Sequence, residues 1–435
     1  MRQIGGLASL RRGTNGSAAT RYNFSMRGAI AGCVLILTGG WAVAQQKAAP
    51  VTVPAAIDHN RVIINVDVPL PDGSSETVHA WVDNGNPDLY LSRRIATLLN
   101  LTVTCGDHEC SSPPPKEILV RGMAIPLGQV KQARIPLRPV SAAAVLAPGI
   151  SAEINLPAAI LRNYDVLIDF PERRFSIGPP GSIQFRGSSE KVRVTANGLV
   201  EVVSQIENRK YNLGLDFGSS ISFLSEEVFD KLSSTHPEWP HMTGAVGSAN
   251  MWGGDGETKW KVMRIDRLQF GPLFLTEVPV VALSRPIQDF MEKRAGMPTA
   301  GLLGANVLLN YRVGLDYAHS SVYFDIGRTS RFPDFDVVGL VLRPEDDGRY
   351  TVLGVADLEG KPCVSGIQAG DHLVAVNDIP VRGSTMGQVW AALGGTPSQE
   401  RRLTIERRGK EFVVPATVQR FIAEAPEGSS KQKRK

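Results

Sequence analysis

Apolar and polar positions alternate at period two along most of the chain, carried largely by β-branched residues, as over residues 61–68 and 191–205; the pattern predicts strands. Two short runs with helical spacing interrupt it, over 93–99 and 226–232. Each follows a serine, Ser92 or Ser225, at an N-cap position, and Glu226 and Glu227 suit a first helical turn. Pro179-Pro180-Gly181 breaks the pattern and marks a boundary. Strand-like runs resume near Pro333, over 338–342, 350–355, 365–377 and beyond Arg401, with a short helix expected over 388–393.

The same pattern occurs twice. The first copy reads Ala80-Trp81-Val82-Asp83-Asn84-Gly85 and the second Gly214-Leu215-Asp216-Phe217-Gly218, each an apolar strand ending in Asp-x-Gly and followed by a second apolar strand and a helix start. The copies also close alike, with Asn163-Tyr164-Asp165-Val166-Leu167-Ile168-Asp169-Phe170 in one and Asn310-Tyr311-Arg312-Val313-Gly314-Leu315-Asp316-Tyr317 in the other. One Asp-Gly turn is ordinary. A duplicated one predicts two lobes, each presenting an aspartate, Asp83 or Asp216, to a shared cleft. Asp169 and Asp316 end the closing strands and are expected to serve turns.

Composition fits a globular chain: 435 residues, 43 % hydrophobic and 21 % charged. The net charge of +4 comes from the ends, where Arg2, Arg11, Arg12, Arg21 and Arg27 precede, and Lys431, Lys433, Arg434 and Lys435 follow, a net acidic stretch. No basic stripe interleaved with aromatics remains to bind nucleic acid. Residues 1–44 read as a leader ending in a signal peptide cleaved after Ala44, which places the protein outside the cytoplasm, in the periplasm or secreted; an uncleaved anchor is the competing reading. After cleavage no stable membrane span is expected. Cys105 and Cys110 enclose four residues and predict a small disulfide loop, with a zinc knuckle through His108 as the alternative. No His-Glu-x-x-His, Gly-x-Ser-x-Gly or Gly-Lys-Ser/Thr motif occurs.

On these residues the two copies resemble the lobes of retropepsin-like aspartic proteases, joined in tandem as in a single-chain pepsin-like enzyme. The third unit resembles a bacterial PDZ domain. Ala300-Gly301-Leu302-Leu303-Gly304 matches the apolar-apolar-Gly element that lies against the family's catalytic turn. The resemblance implies a mainly β fold: lobe 1 over 60–178, lobe 2 over 190–328, a PDZ domain over 333–420 and a disordered basic tail over 421–435. It also implies an endopeptidase without cofactor or metal, with Asp83 and Asp216 as a dyad sharing one proton. Trp252, Gly253 and Gly254 would form a substrate flap, against an ordinary exposed hairpin. Gly339, Leu340 and Val341 would receive a peptide carboxylate, against a β-domain without ligand.

Asn84 and Phe217 stand where the family carries Thr or Ser, whose hydroxyl bonds across the lobes; Asn can still donate, and the Phe ring cannot. Pro157 stands where the second copy has Gly304. Three arrangements follow. The chain is a monomeric protease with both lobes paired internally, a homodimer in which lobe 2 pairs with its twin, or a protease-like scaffold that binds peptide without turning it over.

Overall fold

The computed structural model describes residues 49–106, 109–136, 152–243, 260–296, 299–327, 335–345, 347–358 and 361–422. The leader, the glycine-rich stretch holding Trp252, Gly253 and Gly254, and residues 423–435 lie outside the described residues. What is described is mainly β, with four short α-helices of six to eleven residues, Arg93–Leu98, Glu226–Thr235, Arg285–Ala295 and Met386–Leu393, and a shorter one at Ala158–Leu161.

The two closing segments meet in one six-stranded sheet. Asp165–Asp169 pairs antiparallel with Tyr311–Asp316, and Leu167 lies opposite Gly314. When the copies are aligned on Tyr164 and Tyr311, Leu167 and Gly314 are counterparts, so a local two-fold relation passes through this pair. Antiparallel pairing of repeat-related strands about such a point is self-complementary, and it joins the two halves through one sheet. The flanking strands Arg174–Gly178 and Ser321–Ile326 extend the sheet on either side.

Each half then builds the same local unit. Ser75–Asp83 pairs parallel with Ile154–Pro157, setting Pro157 beside Asp83. Arg209–Asp216 pairs parallel with Gly301–Gly304, setting Gly304 beside Asp216. The Ala158 N–H then bonds Asn86 O at 2.8 Å, and the Ala305 N–H bonds Ser219 O at 2.9 Å, so each Asp turn is tied to its neighbouring strand in the same way. Glycine is required at 304, because a Cβ there would fall within the backbone of Ile221. The predicted N-caps are present: Ser92 Oγ accepts from Ile95 N at 3.1 Å and Ser225 Oγ from Val228 N at 3.3 Å. Asp169 and Asp316 accept from Glu172 N and His319 N, each at 3.0 Å, as turn residues. Cys105 and Cys110 are disulfide-bonded on paired strands.

The C-terminal unit orders its strands Leu340–Pro344, Tyr350–Val355, His372–Val376, Glu400–Arg407 and Lys410–Thr417 in one sheet, with Met386–Leu393 packed through Met386, Val389 and Leu393. It shares a core with the middle unit: Phe335, Val337, Val341 and Phe421 pack with Ile221, Phe223, Trp260 and Leu302. Phe421 and Ile422 are buried here, so both belong to the core and not to the expected tail. The N-terminal half likewise begins earlier than residue 60, since Val51–Pro54 pairs with Arg174–Gly178.

Gly304→Ala is expected to destabilise the fold by about 2 kcal/mol or more, because the added methyl meets backbone that cannot yield. Denaturant midpoints of the two proteins check this; an unchanged midpoint would mean that the turn and Gly301–Gly304 do not pack as described.

Candidate active site

Strands Ser75–Asp83 and Arg209–Asp216 end at one place, and their turns interlock. A Cβ built on Gly85 would fall on the Asp216 carboxyl, and one built on Gly218 would fall on the carboxyl of Asp83 and the ring edge of Trp81. Each carboxylate is therefore packed against the glycine of the other turn. Both are buried, Asp83 at 2 % exposure and Asp216 at 7 %.

Asn84 joins the turns. Its Nδ2 donates to Leu215 O at 2.7 Å, and its Oδ1 accepts from Phe217 N at 2.6 Å. One fully buried amide thus supplies both a donor and an acceptor to the opposite turn, as a hydroxyl in that place would. Phe217 has no such role. Its side chain is buried in the core with its ring edge-on to Phe170, centroids 6.2 Å apart, and contributes about 2 kcal/mol of apolar burial. The two positions that depart from the family pattern therefore split the work, with Asn84 bridging and Phe217 filling space.

Asp216 Oδ1 accepts from the N–H groups of Gly218 at 2.7 Å and Ser219 at 3.1 Å. Burial pushes its carboxyl up to about 6; these backbone N–H groups, the charge of Arg61 and the Gly85 N–H oppose that rise. Arg61 was not singled out from the sequence. It opens the strand Arg61–Pro69, and its guanidinium lies over Trp81, 5.7 Å from the ring centroid, with Nη2 donating to Ser220 Oγ at 3.4 Å. The only sequence signal is a cation heading an apolar run, Val62-Ile63-Ile64.

Gly339, Leu340 and Val341 are all buried. The Leu340 N–H donates to Val338 O at 2.8 Å, so one of the three N–H groups expected to face a carboxylate is used within the loop. Gly339 lies against Phe421 and Ala356. Among the described residues no cluster of His, Cys, Asp or Glu has the geometry of a metal site.

The raised pKa of Asp216 has a stability consequence. Between the ordinary carboxylate range and about pH 6 the folded chain keeps a proton that the unfolded chain has released, so this group's contribution is present in acid and lost as pH rises through that window. Asp216→Asn removes the dependence. The variant is expected to gain on the wild type by about 2 kcal/mol between roughly pH 4 and pH 7. Denaturation midpoints across that range decide it, and a difference that does not change with pH would show that Asp216 is ionised throughout.

Residues 193–307 match the family model described as aspartyl protease, so the middle unit is an aspartic-protease-like β region. No curated protein matches the chain. Among solved structures, the aspartic proteinase from Irpex lacteus is 12 % identical, over 64 % of this chain and 98 % of that one, with a TM-score of 0.39, a likeness too weak to argue from.

Proposed function

We propose that this chain is an exported aspartic endopeptidase, periplasmic or secreted, in which the N-terminal half is a second protease-like lobe and Asp83 and Asp216 form one catalytic pair. The reciprocal packing of each carboxylate on the other turn's glycine, tied by Asn84, carries the reading. Two adjacent carboxyls in a buried site cannot both ionise cheaply, so they hold one proton between them. The ionised member takes a proton from water as the oxygen attacks the scissile carbonyl, and the protonated member gives its proton to the carbonyl oxygen. Collapse breaks the C–N bond: the carboxyl that took the water proton gives it to the leaving amine, the other recovers a proton from the diol, and a new carboxyl terminus remains with the pair again holding one proton. The chemistry calls for no metal or cofactor.

In this reading one chain supplies both aspartates, so a second copy is not required. The C-terminal unit serves as a PDZ-like module that offers polypeptide an edge strand. Leu340–Pro344 ends the strand order of its sheet, and Met386–Leu393 belongs to the same unit, which suits strand addition.

Asp83→Asn and Asp216→Asn are each expected to lower cleavage of an unfolded polypeptide by about a thousandfold or more, with wild-type activity highest below about pH 6 and blocked by pepstatin. Asn84→Ala should fold and lose about tenfold to a hundredfold in kcat. Full activity in either aspartate variant would exclude the pair. Peptide affinity without turnover from acid to neutral pH would instead establish a peptide-binding scaffold.

A further inference from the structure

Arg61 is 1 % exposed, and a buried guanidinium is costly unless its surroundings need the charge. Its contacts reach both Asp turns. Trp81, under the guanidinium, belongs to the strand that ends at Asp83, and Ser220, which accepts from Nη2, lies on the turn that begins at Asp216. The two residues before it form a hairpin turn with φ of 49° at His59 and 63° at Asn60, a left-handed conformation that residues with a Cβ rarely adopt. That turn is held at both ends. On one side Asn60 Nδ2 donates to Ser220 O at 2.9 Å. On the other, the Asp58 carboxylate accepts from the Thr385 hydroxyl and from Gly387 N at 3.3 Å, at the N-terminus of Met386–Leu393, and the His59 ring meets Trp390 edge-on with centroids 3.9 Å apart. A Cβ on Gly387 would collide with Asp58 and His59, so helix and turn are in close contact.

From this juxtaposition we infer that Arg61 is a positioning residue for the Asp83–Asp216 pair, held in place by a strap of Asp58, His59 and Asn60 whose outer end is clamped to the C-terminal unit. The inference rests on the catalytic reading above. The C-terminal unit then does more than bind polypeptide: its docking sets the charge beside the carboxylates. The titratable groups around the guanidinium are Asp216, Asp83, whose carboxyl lies with the Trp81 ring edge against Gly218, and His59 on its own hairpin. Burial first, and the charge of Arg61 second, hold the His59 imidazole well below its usual range, which disfavours a second cation beside the guanidinium. The Asp58 charge is directed to the helix N-terminus. Arg61 therefore favours the ionised member of the pair, its charge opposing the rise that burial imposes on the Asp216 carboxyl.

Arg61→Met is expected to lower kcat about tenfold or more with KM little changed, and to move the alkaline limb of the kcat profile up by about one pH unit, because the pair keeps its proton longer without the cation. Arg61→Lys should restore the limb but only part of kcat, since Lys keeps the charge and loses the planar stacking. Asp58→Ala and Trp390→Ala, which leave Arg61 intact, should move the limb in the same direction by less. An unchanged limb in Arg61→Met, or in both strap variants, would overturn the inference. Should the wild type cleave nothing, the catalytic reading fails on its own. NMR titration of the Asp216 carboxyl carbon then still decides: an upward move in Arg61→Met, or in the strap variants if that protein does not fold, sustains the assignment, and no move overturns it.

Discussion

Two Asp turns from repeated halves of one chain interlock around a buried amide, and the rest of the structure is arranged to keep them there. The Asn84 bonds to Leu215 O and Phe217 N fix the turns in register. Both bonds are buried, where a lost partner costs about 1–3 kcal/mol and is not replaced by water. The pairing of Leu167 with Gly314 sets the same two-fold relation through the backbone. The site is thus held twice, by a side-chain bridge at the carboxylates and by the sheet that the two halves share.

That constraint decides which residues are tolerated nearby. Gly85, Gly218 and Gly304 are required by close approach, because each faces a group that a methyl would displace. Burying two carboxyls is unfavourable unless a proton or a cation compensates. Backbone N–H groups satisfy one oxygen of Asp216, and Arg61 supplies positive charge at the edge of both turns. The C-terminal unit enters the same arrangement. It shares the core behind Ile221 and Phe223, just beyond the Asp216 turn, and its helix docks the hairpin that leads into Arg61.

Much of this was legible in the sequence because it is local. The Asp-x-Gly turns, the N-cap serines and the repeated closing segments depend on neighbouring residues and are found where the pattern places them, whereas the period-two run over 191–205 is broken by a turn at 195–199 and only His372–Val376 of the run over 365–377 is strand. The bridging role of Asn84 was half legible. An amide can donate, but that its oxygen would also accept from Phe217 N depends on the other turn's approach, which no local pattern encodes. Arg61 was not legible at all, since its partners Trp81, Ser220 and Asp216 lie far along the chain and only folding assembles them. At Gly339 the local motif suggests a loop of converging N–H groups, and folding adds what the motif does not encode: Gly339 lies against Phe421, and Val341 packs into the core shared with Ile221 and Phe223.

The proposed chemistry requires Asp83 and Asp216 to hold a single proton in common. Neutron diffraction from crystals grown in deuterated buffer near pH 5 tests it most directly, by locating the hydrogen isotopes on the four carboxyl oxygens. One deuteron, placed between the two groups, is expected. A deuteron on each carboxyl, none on either, or carboxyls turned to separate solvent would contradict it.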